Sequence, residues 1–201
     1  MRPRAELPSR RWRFRQAAVV LLAALLAVPG RTEAQDEPGA RRTLHALLGS
    51  YVPLGALREG FGPTMLVGVQ GYRQVGATIG VVGALTGAQV RDASQASRPE
   101  WYLWQYDVGI EMGGGHGGRL AHPALFGGMG VGGRTYNRAG PARGVRSAVT
   151  AYVSAGAEAR GGRTGVRVET RLYASRLGGQ PDGRAMRADL ALSAGLAYHF
   201  R

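Results

Sequence analysis

The stretch MRADLALSAGLAYHFR, Met186 to Arg201, divides by parity. Met186, Ala188, Leu190, Leu192, Ala194, Leu196, Tyr198 and Phe200 fall on one face of an extended chain, and Arg187, Asp189, Ser193 and His199 on the other. A strand with an unbroken apolar face ending in aromatics, and a charged face opposite, has a greasy solvent on one side and a polar interior on the other. Lipid is the solvent that fits.

Three more segments repeat the pattern. Tyr102, Trp104, Tyr106, Val108, Ile110 and Met112 alternate with Gln105, Asp107, Gly109 and Glu111. Val149, Ala151, Val153, Ala155, Ala157 and Ala159 alternate with Thr150, Tyr152, Ser154, Gly156, Glu158 and Arg160. Val166, Val168, Thr170, Leu172 and Ala174 alternate with Arg167, Glu169, Arg171, Tyr173 and Ser175. No apolar face carries a charge. An arginine facing lipid at the bilayer midplane costs about 2–4 kcal/mol, so slipping the Arg167/Arg171 strand by one residue would expose two at once.

Weaker alternation adds four strands, giving eight in all: Leu44–Pro53, Thr64–Arg73, Ala77–Thr86, Trp101–Met112, Ala124–Tyr136, Arg146–Ala159, Gly165–Ser175 and Met186–Phe200. Ile79, Val81 and Leu85 oppose Thr78, Gly80 and Thr86, whereas the first strand is apolar on both faces apart from His45, Ser50 and Tyr51. Each segment reaches the roughly 9–11 residues with which a tilted strand crosses a bilayer. The first, third, fifth and seventh connections are long, and those near Gln74–Gly76 and Gly161–Thr164 are tight. That asymmetry suits an up-and-down barrel with long outer loops and short inner turns. Gly113–Pro123 is long for an inner turn.

The amino terminus supplies an address. Met1 to Arg15 is rich in arginine and runs into the apolar segment Ala17–Val28, followed by Thr32-Glu33-Ala34. The apolar segment fits the roughly 7–15 residues of a signal-peptide core and is too short to span a bilayer as a helix. Residues 1–34 therefore read as an export signal and 35–201 as one domain. Ser9-Arg10-Arg11 would also suit a twin-arginine signal, but arginine accounts for all 26 basic residues, so such pairs arise from composition. With no cysteine, disulfide staples, thiol nucleophiles and a lipidated terminal cysteine are excluded. The export segment contributes +5 of the formal charge of +13, and the remaining arginines are dispersed, which argues against nucleic acid as a partner.

The export segment, the eight alternating strands and the terminal Leu192-x-Ala194-x-Leu196-x-Tyr198-x-Phe200 resemble the small outer-membrane barrels of the OmpA/OmpX type. The resemblance implies an all-β, eight-stranded antiparallel transmembrane barrel in a Gram-negative type outer membrane. It also implies that Leu192, Leu196, Tyr198 and Phe200 form the signal read by the barrel-assembly machinery. Arg201, after the terminal aromatic, departs from the family pattern.

An eight-stranded barrel is narrow enough for side chains to fill it. Its inward charges, Asp107, Glu111, Glu158, Glu169 and Asp189 with Arg160, Arg167, Arg171 and Arg187, must then satisfy one another, because isolated buried charges are prohibitively costly. The competing reading makes Asp107 and Glu111 an acid/base pair or an ion path. The runs Gly113–Gly118 and Gly127–Gly133 each match G-x-G-x-x-G but lack a following helix, so they read as turns and close packing rather than a nucleotide loop. His45, His116, His122 and His199 lack metal-ligand spacing, and no cofactor is expected. Arg58, Arg91, Arg98, Arg138, Arg143, Arg176 and Arg184 are read as loop residues suited to lipopolysaccharide phosphates.

The function these features support is a monomeric structural or surface-interaction barrel without an open pore, and no enzyme. Two rivals stay open. A lipid-modifying barrel hydrolase or acyltransferase requires a Ser–His–acid triplet at one rim, and a soluble periplasmic lipid-binding barrel requires the apolar face to turn inward.

Overall fold

A computed structural model describes residues 41–54, 62–91, 100–113, 122–138, 145–177 and 187–200. The expected export segment, the tip of the first loop, and Met186 and Arg201 lie outside them. Eight strands, β1 (Arg42–Pro53), β2 (Thr64–Gln74), β3 (Ile79–Arg91), β4 (Glu100–Gly113), β5 (Ala124–Arg138), β6 (Val145–Gly161), β7 (Thr164–Leu177) and β8 (Arg187–Phe200), pair in sequence order into a closed barrel. Every pairing is antiparallel, and β1 closes on β8 from Arg42↔Phe200 to Pro53↔Asp189. Closure leaves no free sheet edge, so the backbone polar groups of the wall are satisfied internally.

Side-chain parity follows the alternation. Leu172, Leu192, Leu196, Val153, Val168 and Met129 stand exposed on the outer wall, while Arg134, Arg167, Asp189, His45, Gln70 and Gln105 are buried inside. The ambiguous first strand resolves with Thr43, His45, Leu47 and Tyr51 inward and Ala46 and Leu48 outward.

The strands run further than the alternation alone delimits. β3 continues to Arg91, β5 to Arg138 and β7 to Leu177, so the backbones of Arg91, Arg138 and Arg176 belong to strands rather than loops. The third and fifth connections shorten accordingly, to residues 92–99 and 139–144. Pairing with a long partner explains the extension, since Arg91 opposes Glu100 and Asn137 opposes Val145.

Two tight turns lie at the end where β1 begins and β8 finishes. Between β6 and β7 only Gly162 and Arg163 intervene, and Gly162 takes φ +71, which a side chain would resist. Between β2 and β3, the amides of Val75 and Gly76 both donate to the Ile79 carbonyl, and the Gln74 side chain donates to the carbonyls of Gly76 and Ala77.

Glycine makes room for large neighbours. A Cβ on Gly133 would collide with the Tyr106 ring, one on Gly156 with Phe126 and one on Gly130 with Tyr152. In each case the ring belongs to the directly opposed residue on the next strand. The glycine runs of β5 are thus strand positions over which neighbouring side chains lie.

Candidate functional site

The interior is occupied by a lattice of ion pairs running along the barrel axis. Arg167 on β7 sits at its centre near the end bearing the tight turns. Its Nη2 donates to Glu111 Oε2 at 2.5 Å and its Nη1 to Glu111 Oε1 at 3.3 Å, a bidentate grip across the lumen. The same guanidinium donates to Glu158 at 3.2 Å and to Glu169 at 3.1 Å. Its carbon lies 3.6 Å from the centroid of the Phe126 ring, within cation–π range.

Two inward positions further along β7, beyond Glu169, Arg171 continues the lattice. It donates to Glu169 at 2.6 Å, to Asp107 at 3.2 Å and to the Gln70 side-chain oxygen at 2.5 Å. Asp107 also accepts from the Tyr173 hydroxyl at 2.8 Å and from Gln105 at 3.1 Å. Gln105 in turn accepts from Arg134 of β5 at 2.8 Å. Arg134 completes the run by donating to Asp189 of β8 and, at 3.0 Å, to the Tyr51 hydroxyl of β1.

Among the described residues, the five buried carboxylates Asp107, Glu111, Glu158, Glu169 and Asp189 meet three buried guanidiniums, those of Arg134, Arg167 and Arg171. Two imidazoles stand at the carboxylate-rich end. His45 Nε2 lies 3.1 Å from Glu158, and His199 Nε2 lies 3.6 Å from its other oxygen. In a medium that screens poorly, such multidentate partnering is what makes buried charge tolerable.

Beyond Arg134 the lumen changes character. Tyr51, Leu66, Ala88, Val90, Trp101, Leu103 and Tyr136 form an apolar cluster at the end opposite the tight turns. Ion pairs and cluster thus divide the inside of the barrel between them along its axis.

Of the interior charges expected from parity, Asp107, Glu111, Glu158, Arg167, Glu169, Arg171 and Asp189 meet in this lattice. Arg160 does not. It is half-buried at the β6–β7 turn, where its Nε donates to the Gly162 carbonyl at 2.6 Å; the last inward-parity position of a strand delivers its side chain to the rim, not the lumen. Arg187 is likewise half-buried, at the opposite rim. Arg134, which the alternation does not single out, is central. Its signal was available, because it shares parity with Tyr136 and opposes Met129 and Val131, but the glycines beside it masked the alternation. The side chains of Arg58, Arg91, Arg98, Arg138, Arg143, Arg176 and Arg184 lie outside the described residues. Leu192, Leu196, Tyr198 and Phe200 all stand exposed on the outer wall, with the last two rings packed edge to face at 5.0 Å between centroids.

A hydroxyl–imidazole–carboxylate chain does occur, formed by Thr43 Oγ1 with His199 Nδ1 at 3.0 Å and by His199 with Glu158. All three residues are buried, and Arg167 already holds Glu158, so the chain reads as packing within the lattice. No group of three or more His, Cys, Asp or Glu among the described residues is arranged to hold a metal ion.

Neither a protein-family model nor a curated protein matches the sequence. Solved structures do match the barrel. Neisserial surface protein A (NspA) aligns with a TM-score of 0.57 at 10% identity, covering 81% of this chain and 99% of that one. The fold is that of the small outer-membrane barrels. The N-terminal β-barrel domain of Pseudomonas aeruginosa OprF aligns at 0.51 with 12% identity, covering 80% of this barrel chain and 97% of that domain. The outer membrane protein OprG from Pseudomonas aeruginosa aligns at 0.50 with 9% identity, covering 81% and 96%. At such identities the shared property is the architecture, so function must be argued from this chain's own residues.

Proposed function

We propose that this chain is a small, monomeric integral barrel of the outer membrane with a structural or surface-interaction role and no open pore. The observation that carries the reading is the inverted distribution of side chains. Leucines, valines and aromatics cover the outside, while Arg134, Arg167 and Asp189 are sealed within. A soluble lipid-carrying barrel requires the opposite arrangement. The enzyme reading is less favoured, since the Thr43–His199–Glu158 chain is enclosed in the lumen rather than presented at a membrane surface.

The outward Leu192, Leu196, Tyr198 and Phe200 of β8 suit the assembly signal implied by the family resemblance, and the seven arginines at and beyond the strand ends suit lipopolysaccharide phosphates. Fractionation and planar-bilayer recording test the central reading together. The protein should sediment with outer membranes, migrate differently before and after boiling, and give no stable pore-sized conductance. Recovery without detergent would overturn the membrane assignment, and steady large steps would overturn the closed bore.

A further inference from the structure

On the outer wall, near the end opposite the tight turns, an open groove of about 520 Å³ crosses β2, β3 and β4. Met65 and Val67 form one side, Tyr102 and Trp104 the other, and Gly87 lies between them, opposed by Val67 on one strand and Trp104 on the next. Elsewhere an aromatic ring closes over its opposed glycine, as Tyr106 does on Gly133. Here the Trp104 ring lies against its opposed Gly87 less closely, since a Cβ placed on Gly87 would meet three atoms of that ring at 3.2–3.6 Å, against 2.3–2.6 Å for Tyr106 over Gly133.

The walls are apolar and the upper rim is polar. Thr64 donates its hydroxyl to the Gln89 carbonyl, and the Gln89 amide donates to Glu100 at 3.0 Å. An apolar slot with a few convergent polar groups at one end is the usual form of a small-molecule site, and the volume lies within the customary range of about 300–1,000 Å³. Because Met65, Val67, Tyr102 and Trp104 continue the exposed apolar wall, the slot opens into whatever wets that wall.

We propose that this groove seats one hydroxylated acyl chain of an outer-leaflet glycolipid, with the chain against Val67 and Trp104 and its hydroxyl and amide linkage at the Thr64/Gln89 rim. The inference rests on the outer-membrane reading, which puts this end of the barrel in the outer leaflet. The rim chemistry selects the occupant. The Thr64 hydroxyl and the Gln89 side-chain amide match the hydroxyl and amide groups of a hydroxyacyl amide.

Native mass spectrometry of the detergent-purified barrel, after exposure to lipid A or to phosphatidylethanolamine of matched chain length, decides the matter. The parent should retain one lipid A per barrel. Val67→Phe, an apolar replacement that fills the slot from the β2 side, should reduce retention about tenfold. Val153→Phe, on the exposed wall of β6, should leave it unchanged. Equal retention of phosphatidylethanolamine would overturn the glycolipid assignment. A heat-modifiable, membrane-embedded barrel that retains neither lipid, or two variants that lose lipid alike, would overturn the groove. Recovery without detergent would instead count against the outer-membrane reading itself.

Discussion

The two ends of the lumen obey the same parity rule with opposite chemistry. Towards the tight turns, Arg167 is gripped by Glu111, Glu158 and Glu169 and lies on the Phe126 ring. Towards the other end, Leu66, Val90, Trp101 and Leu103 pack with scarcely a polar atom among them, and Arg134 with Tyr51 and Tyr136 forms the border. Alternation therefore separates wall from bore but does not specify what fills the bore. A charged filling depends on every partner being present, since removing one strands the others. An apolar filling depends on volume, and its losses are graded.

The largest expected effect tests that dependence. Arg167→Met leaves Glu111, Glu158 and Glu169 facing one another and should cost about 3–5 kcal/mol of unfolding free energy, measured by urea titration in detergent or bilayer. Adding Glu111→Gln should recover part of the loss. A cost near zero for the single change would mean that water already reaches these carboxylates and that the lattice is no plug.

Leu103→Ala at the apolar end should cost less, about 2–3 kcal/mol, near the lower limit for a buried leucine because the cluster lies next to the mouth and can relax. Were it to exceed Arg167→Met, the contrast between the two fillings would be reversed. Gly132→Ala comes next. Its methyl would lie against Asp107 Oδ1 and the Tyr106 carbonyl, so about 1–3 kcal/mol is expected, together with a loosened Asp107–Arg171 contact. The same titration reads it, and an unchanged midpoint would show that Asp107 moves aside freely.

Tyr51→Phe should have the smallest effect, about 1 kcal/mol, because Arg134 loses one hydroxyl acceptor yet keeps Gln105 and Asp189. A loss as large as that of Arg167→Met would place the border residue within the ionic half in energetic terms.

The sequence was legible wherever one face had to meet an apolar solvent and the other was charged. β4, β6, β7 and β8 announce themselves in this way, and with them Asp107, Glu111, Glu158, Glu169, Arg167, Arg171 and Asp189. β1 was illegible because its inward Leu47 belongs to the same filled bore as its inward His45, so hydrophobicity does not mark its faces. The strand ends are hidden for a related reason: in β3 the inward Val82, Ala84, Ala88 and Val90 are as apolar as the outer wall, and Gln89 points outward near the rim. Arg134 was hidden by composition, since glycines on either face give the pattern nothing to count. Its neutral partners Gln105 and Tyr51 become interpretable only when the register brings three strands together.

The rings resting on glycines have a consequence for assembly. Phe126 faces Gly156, Tyr152 faces Gly130 and Tyr106 faces Gly133 across hydrogen-bonded neighbours, so each pair works as a key in a notch. If β5 slid by two residues against β6, Phe126 would leave Gly156 and meet Ser154 or Glu158. That displacement preserves inside and outside, and parity alone therefore does not oppose it. The notches oppose it sterically. While the barrel is zipping closed they act as detents, arresting β4, β5 and β6 at the one alignment that brings Asp107, Arg134 and Glu158 within reach of their partners on β7 and β8.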